Sequence, residues 1–280
     1  PYADKALMMA EFDRMNTAGL KKDHLLEIIL RSERNRDFRP QYGPYSAGLS
    51  SGTSGQGGIF VTSPYERNLW AGVMLAKMLP DGLLAGERVA LFLRADNNLY
   101  HSVRNRWLSF AFFDLFSPFE SHFAPLELYS PTIIAAPAQV LRSLADARSA
   151  GKLRLDTVKK VISSAEVLDP QDKTVIEDCF PLLGEVYQAT EGFLAATCHH
   201  GTLHLNEEHV HFELEPLGDR RFTPVITDFS RVTQPIVRYR LNDILVLKEG
   251  SCSCGNAATA LERIEGGSED SLIREGKDGR

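Results

Sequence analysis

No apolar run in the 280 residues approaches the roughly 20 that a membrane-crossing helix needs, and no basic-then-apolar signal pattern opens the chain. A cytoplasmic location is the resulting expectation. Positive charge is also short, with 31 Lys and Arg against 37 Asp and Glu and a net charge of -6. That balance gives no electrostatic case for nucleic acid or an anionic membrane as partner. Cysteine is scarce, at Cys179, Cys198, Cys252 and Cys254 alone. In a cytosolic chain the Cys252-x-Cys254 pair points to metal before disulfide. What is present is ordinary for a globular protein, 43% hydrophobic and 24% charged, with length enough for one large α/β domain or two modest ones.

The most distinctive stretch is Ser50-Ser51-Gly52-Thr53-Ser54-Gly55-Gln56-Gly57-Gly58, set between Leu49 and Ile59-Phe60-Val61. Glycines let a backbone approach a ligand closely, and hydroxyls and free N–H groups supply donors, so such a loop can cradle phosphate oxygens. The same composition also makes a flexible surface linker. The Lys and spacing of the common Walker loop are missing. Other motifs must decide between the two readings.

Lys5 to Arg36 has helical spacing with a break at Asn16-Thr17-Ala18-Gly19. Ser63-Pro64-Tyr65-Glu66 predicts a helix start, with Ser63 as N-cap, Pro64 in the first position and Glu66 three residues after the cap. Val89–Leu93, Thr132–Ala136 and Val158–Ser164 are short apolar runs of buried-strand type, and a helical stretch lies between the last two, around Gln139 to Ala150. This alternation predicts a largely parallel α/β sheet, whose ligands gather at strand carboxyl ends such as Arg94 to Asn98. From Leu203 the pattern becomes period-two, as in His209 to Glu215, and predicts an antiparallel, barrel-like subregion.

Three polar clusters interrupt apolar segments: Ser163-Ser164-Ala165-Glu166, Tyr187-Gln188-Ala189-Thr190-Glu191-Gly192, and Arg238-Tyr239-Arg240-Leu241-Asn242-Asp243. Singly, each has a structural reading: Glu166 as a helix cap, Thr190-Glu191 as a helix first turn, Arg238 or Arg240 as half of a surface ion pair. With the glycine loop they supply what a nucleotide site needs. Donors face phosphates, one carboxylate serves Mg²⁺, an aromatic ring stacks on a base and another carboxylate takes ribose hydroxyls.

In this order, together with Pro235-Ile236-Val237 before Arg238, the motifs resemble the adenylate-forming superfamily of acyl-CoA synthetases. Within it the chain looks like the phenylacetate-CoA ligase branch and its coenzyme F synthetase-related members, which Cys252-Ser253-Cys254-Gly255 also resembles. The implied fold is the large N-terminal domain of that superfamily, with mostly parallel sheets flanked by helices plus a β-rich, barrel-like subregion. The implied reaction is ATP-dependent activation of a carboxylic acid, aryl or arylacetic, to an acyl-adenylate, followed by transfer to CoA. Transfer to a carrier protein or an amine is the alternative, and a non-catalytic nucleotide-binding scaffold is the rival of another class.

The resemblance also implies residue roles. Ser51, Gly52, Thr53, Ser54 and Gly55 would hold the β- and γ-phosphates, Ala165 and Glu166 would lie against adenine, Tyr187 would stack on it, and Gln188 would join the nucleotide-binding set. Thr190 would contact the α-phosphate, Glu191 would bind Mg²⁺, Asp243 would accept from the ribose and Arg240 would join the catalytic set. Phe92, Tyr100, Trp107, Phe110, Phe112 and Phe113 form either an aromatic substrate pocket or plain core. Residues 1–265 would be the large domain, and 266–280 the hinge and the start of a C-terminal domain that carries the lysine used in adenylation. At that hinge Gly267 stands where the family has Arg, and Glu269 where it has the hinge carboxylate. A homodimer is among the oligomeric states left open.

Metal is a partly independent expectation. Cys252-x-Cys254 is a tight soft-ligand pair, and Cys198 with His204 makes a second pair in the same β-rich region, about 198–263. Cys₃His is a closed set suited to structural Zn²⁺. Cys179 is expected in the core.

Overall fold

The short apolar runs lie side by side as strands. The structure, a computed structural model, describes residues 1–35, 41–49, 57–93, 106–164 and 166–267. Two helices, α1 (Lys5–Ala10) and α2 (Lys22–Asn35), precede a small antiparallel sheet of β1 (Gln41–Tyr42), β2 (Tyr45–Leu49) and β3 (Ile59–Thr62). The gap between the helices is wider than the sequence break. Asn16 makes it so: its Nδ2 donates to the Phe12 and Leu20 carbonyls at 2.9 and 3.0 Å and its Oδ1 accepts from the Leu20 amide at 2.8 Å. The side chain thus offers the backbone an alternative to helix.

After α3 (Pro64–Met78) come β4 (Glu87–Leu93), β5 (Leu108–Asp114), α4 (Phe123–Tyr129), β6 (Ile133–Ala136), α5 (Ala138–Ser149), β7 (Lys160–Ser163), α6 (Pro170–Cys179) and β8 (Leu183–Ala189). Strands β5, β4, β6, β7 and β8 are parallel neighbours in that order. Period-two alternation gives them two buried faces. Ala90, Phe92, Ile134 and Val161 meet Leu126, Leu141, Leu144 and Ile176 of α4 to α6, whereas Val89, Leu91, Ile133 and Ile162 meet α3 through Met78. Cys179 packs, half-buried, against the first of these faces, as the sequence predicts. Each such aliphatic side chain contributes about 1.5–3 kcal/mol of burial.

The parallel part is only half of the sheet. From β8 it continues antiparallel through β9 (Gly192–Thr197), β10 (Leu203–Leu205), β15 (Ala260–Gly267), β14 (Asp243–Leu247), β12 (Arg221–Asp228) and β11 (Val210–Gly218). Strand β12 divides its pairing: Arg221 and Phe222 face β14, while Val225 to Asp228 face β13 (Ile236–Arg240). This half encloses its own core of Leu194, Leu205, Ile226, Ile236, Tyr239 and Leu245. Among the described residues no helix is long and apolar enough to cross a membrane.

Candidate functional site

Strands β8 and β9 form a hairpin in which Ala189 pairs with Gly192, so Thr190 and Glu191 are its two-residue turn and not a helix start. Thr190 Oγ1 donates to Glu191 Oε2 at 2.9 Å. Three residues before Thr190, Tyr187 points into the antiparallel core, only 8% exposed, and its hydroxyl donates to Asp243 Oδ2 at 2.5 Å. Tyr239 approaches from β13, its hydroxyl interacting with Glu191. Burial, reinforced by these carboxylates, pushes both tyrosine hydroxyls well above their ordinary range. Burial also raises Asp243; the Tyr187 hydrogen bond opposes that rise and the negative charge of Glu191 adds to it. Tyr187, Thr190, Glu191, Tyr239 and Asp243 therefore form one cluster built from three strands.

Other predicted residues sit apart from it. Gln188 takes the opposite side of β8, where its Oε1 accepts from Trp70 Nε1 of α3 at 2.8 Å. Along β13, Tyr239 points inward and its neighbours outward, so Arg240 pairs with Glu215 at 2.9 Å and lies over the Tyr2 ring. Arg238 is likewise engaged, with Glu213. Glu166 is exposed, accepting weakly from the Gln139 amide at 3.5 Å. Ser51 to Gly55, Ala165, Arg94 to Asn98 and Tyr100 lie outside the described residues. The aromatic set does not line one pocket: Phe92 and Phe113 stack at 5.0 Å beneath α4 to α6, Phe110 packs on the opposite face, and Trp107 and Phe112 are exposed. Strand alternation divides them.

Three residues with no role in the sequence reading of the site connect its parts. Arg231, between β12 and β13, donates through Nη1 to the carbonyls of Thr190 (3.1 Å) and Glu191 (3.4 Å) and through Nη2 to that of Val61 (3.1 Å). Gln234 accepts from the Val61 amide and donates to the Ile59 carbonyl, both at 2.9 Å. Glu66 closes a capping box with Ser63, which the sequence predicts, and its other oxygen accepts from the Val232 and Thr233 amides at 2.7 and 2.8 Å. Only the capping box carried a local sequence signal.

The second site is compact. The ligand atoms of Cys198, His204, Cys252 and Cys254 all lie within 4.8 Å of one another. Cys198 Sγ and Cys252 Sγ are 3.8 Å apart, the edge of a tetrahedron with metal–sulfur arms of about 2.3 Å. His204 Nε2 is 3.4 Å from Cys254 Sγ, while its Nδ1 meets the Ala258 carbonyl at 2.9 Å, which fixes the tautomer that leaves Nε2 free to ligate. Amides of His200 and Asn256 point at Cys198 and Cys254 sulfurs at 3.4 Å, and hydrogen bonds led by that from Thr202 bring the Cys252 thiol down to about 5. The donor set fits Zn²⁺.

No family model matches the chain, and no curated protein matches it by sequence. Its fold is similar to that of an open conformation of 2-hydroxyisobutyryl-CoA ligase in complex with 2-HIB-AMP and CoA, with a TM-score of 0.70 at 17% identity over 90% of this chain and 60% of that one. It is similar also to an amide bond synthetase from Marinactinospora thermotolerans, at TM-score 0.60 and 13% identity over 80% of this chain and 50% of that one. An anthranilate CoA ligase in complex with anthranoyl-AMP gives TM-score 0.59 at 10% identity over 80% of this chain and 47% of that one. The chain thus spans 60% or less of these neighbours. It has the fold of the large N-terminal domain of adenylate-forming enzymes.

Proposed function

We propose that this chain is the nucleotide-binding part of an ATP-dependent, carboxylate-activating ligase of the phenylacetate-CoA ligase type. The carrying observation is the convergence of Thr190 and Glu191 with Tyr187, Tyr239 and Asp243, residues of two separate sequence motifs, at one hairpin turn. An acid oxygen attacks the α-phosphorus of ATP, the bond to pyrophosphate breaks, and acyl-AMP forms; a thiol, that of CoA, then attacks the acyl carbon and releases AMP. Positioning and electrostatics carry such a step without a protein nucleophile. Thr190 contacts the α-phosphate, Asp243 the ribose, and Tyr187 the base. Glu191 is the carboxylate to hold Mg²⁺, since Arg231 takes the backbone oxygens of this turn and not its side chain. Magnesium supplies neutralisation of the charge on departing pyrophosphate. Residues 1–265 act as the large domain and 266–280 lead into the hinge, and Ser51 to Gly55 wrap the terminal phosphates. Cys198, His204, Cys252 and Cys254 hold a structural Zn²⁺.

Transfer to an amine is the second reading, favoured by the likeness to an amide bond synthetase. Pyrophosphate exchange over aryl, arylacetic and aliphatic acids, run on a form extended past Arg280, tests the proposal. Acid-dependent exchange is expected, lost in Glu191→Gln. ATP binding without exchange for any acid, in a form extended past Arg280, would instead favour a nucleotide-binding scaffold.

A further inference from the structure

The guanidinium of Arg231 is spent on main-chain oxygens. Its two terminal nitrogens reach Thr190 and Glu191 on one side and Val61 on the other, with Gln234 Oε1 at 3.5 Å, while its buried Nε has no partner among the described residues. Burying a guanidinium is costly, and three carboxylates, Glu66, Asp228 and Glu191, offset that cost from longer range. None of them forms an ion pair with it among the described residues; the planar fork is aimed at carbonyls, where it sets distance and angle. Val61 belongs to β3, the strand that follows the glycine-rich stretch, and is held a second time by Gln234. Glu66 anchors the two amides directly after Arg231, which fixes the base of the arginine.

We propose that Arg231 is a positioning residue for adenylation, holding the Thr190–Glu191 turn at a set distance from β3 so that the magnesium carboxylate of Glu191 is in place before ATP arrives. This rests on the ATP reading above. A two-residue turn has few restraints of its own, and Arg231 grips both of its carbonyls. A residue that orients a ligating carboxylate through its backbone acts as an outer-shell partner of the metal.

Calorimetric titration of the full chain with ATP, with and without Mg²⁺, tests this on Arg231→Lys and Arg231→Met. Lysine keeps the charge but cannot span both carbonyl sites. The expected result in folded Arg231→Lys is that Mg²⁺-free ATP affinity stays near that of the parent, while the Mg²⁺-dependent gain in affinity falls about tenfold or more. An unchanged gain in folded variants overturns the positioning role, as does an equal fall with and without Mg²⁺, which marks a merely structural arginine. A parent chain that binds no ATP with Mg²⁺ overturns the function reading and this proposal with it, so the two failures are distinct. Should neither variant fold, hydrogen exchange on the parent decides. Mg²⁺-ATP is expected to slow amides 59–62 and 190–193 together, and slowing of one segment alone overturns the coupling.

Discussion

The Tyr187 hydroxyl donates to Asp243 Oδ2 at 2.5 Å, so the residue assigned to the base and the residue assigned to the ribose are bound to each other. Burial raises the pKa of Asp243, and this hydrogen bond, made to the charged form, pulls it back. Tyr187→Phe removes the restraint and raises Asp243 further. A carboxylate that accepts from ribose hydroxyls must be ionised, so nucleotide affinity is expected to fall off at a higher pH in Tyr187→Phe than in the parent. Binding titrations across the acid range check this. An acid limb that does not move would separate Asp243 from the nucleotide.

Glu66 has a test that needs no ligand. Burial alone would raise its pKa, but the donors at Ser63 and Thr233 outweigh it and hold the carboxyl below its ordinary 4.5. Its stabilisation is complete above the unfolded-state value and is lost as pH falls through the folded-state value. Glu66→Gln puts an amide N–H against the Ser63 N–H that Oε2 now receives at 2.6 Å. A cost of about 1–3 kcal/mol at neutral pH is expected from denaturant unfolding. The gap to the parent should shrink in acid; a constant gap would show that charge plays no part.

How much was legible follows the range of each interaction. The parallel strands declared themselves in runs such as Val89–Leu93, and the α3 start in Ser63, Pro64 and Glu66, because periodicity and capping act within a few residues. The cluster of Cys198, His204, Cys252 and Cys254 was legible as two short-range pairs. Arg231 and Gln234 were not, because their partners at Val61 and Ile59 lie 170 and 175 positions away and their own segment has no periodicity. The alternation of Arg238, Tyr239 and Arg240 was visible, but alternation does not say which face is inside. The β12 pairing turned Tyr239 inward, and Arg240 went to Glu215.

The cysteine cluster predicts about one zinc ion per purified chain by elemental analysis. Cys254→Ser removes a ligand 3.4 Å from His204 Nε2 and is expected to lose the metal. Zinc sites contribute on the order of 10 kcal/mol to folding of the segments they join. Chelation should therefore speed hydrogen exchange in β10 and the neighbouring end of β15, which pair at Leu203 and Leu261, and leave β4 to β7 unchanged. Metal-free protein with the parent's exchange pattern would remove zinc from the account.

Two glycines should respond oppositely to alanine. At Gly192, directly after Glu191, a Cβ would stand 2.7 Å from Asp228 Oδ2. Asp228 is buried and cannot swing away freely, because its other oxygen accepts from the Ser230 amide at 2.8 Å and the Ser230 hydroxyl at 2.5 Å. Gly192→Ala is thus expected to cost about 1–3 kcal/mol, the usual range for overpacking. At Gly72, on the exposed side of α3, a Cβ would meet nothing within 4 Å. There alanine only restricts the unfolded chain and favours helix, so Gly72→Ala should add about 0.5–1 kcal/mol. Urea midpoints of the two variants against the parent give the comparison. Because Ser230 precedes Arg231, Gly192→Ala is also expected to weaken Mg²⁺-dependent ATP binding, and Gly72→Ala to leave it unchanged. Equal shifts in both variants would mean that the close approach at Asp228 carries no cost.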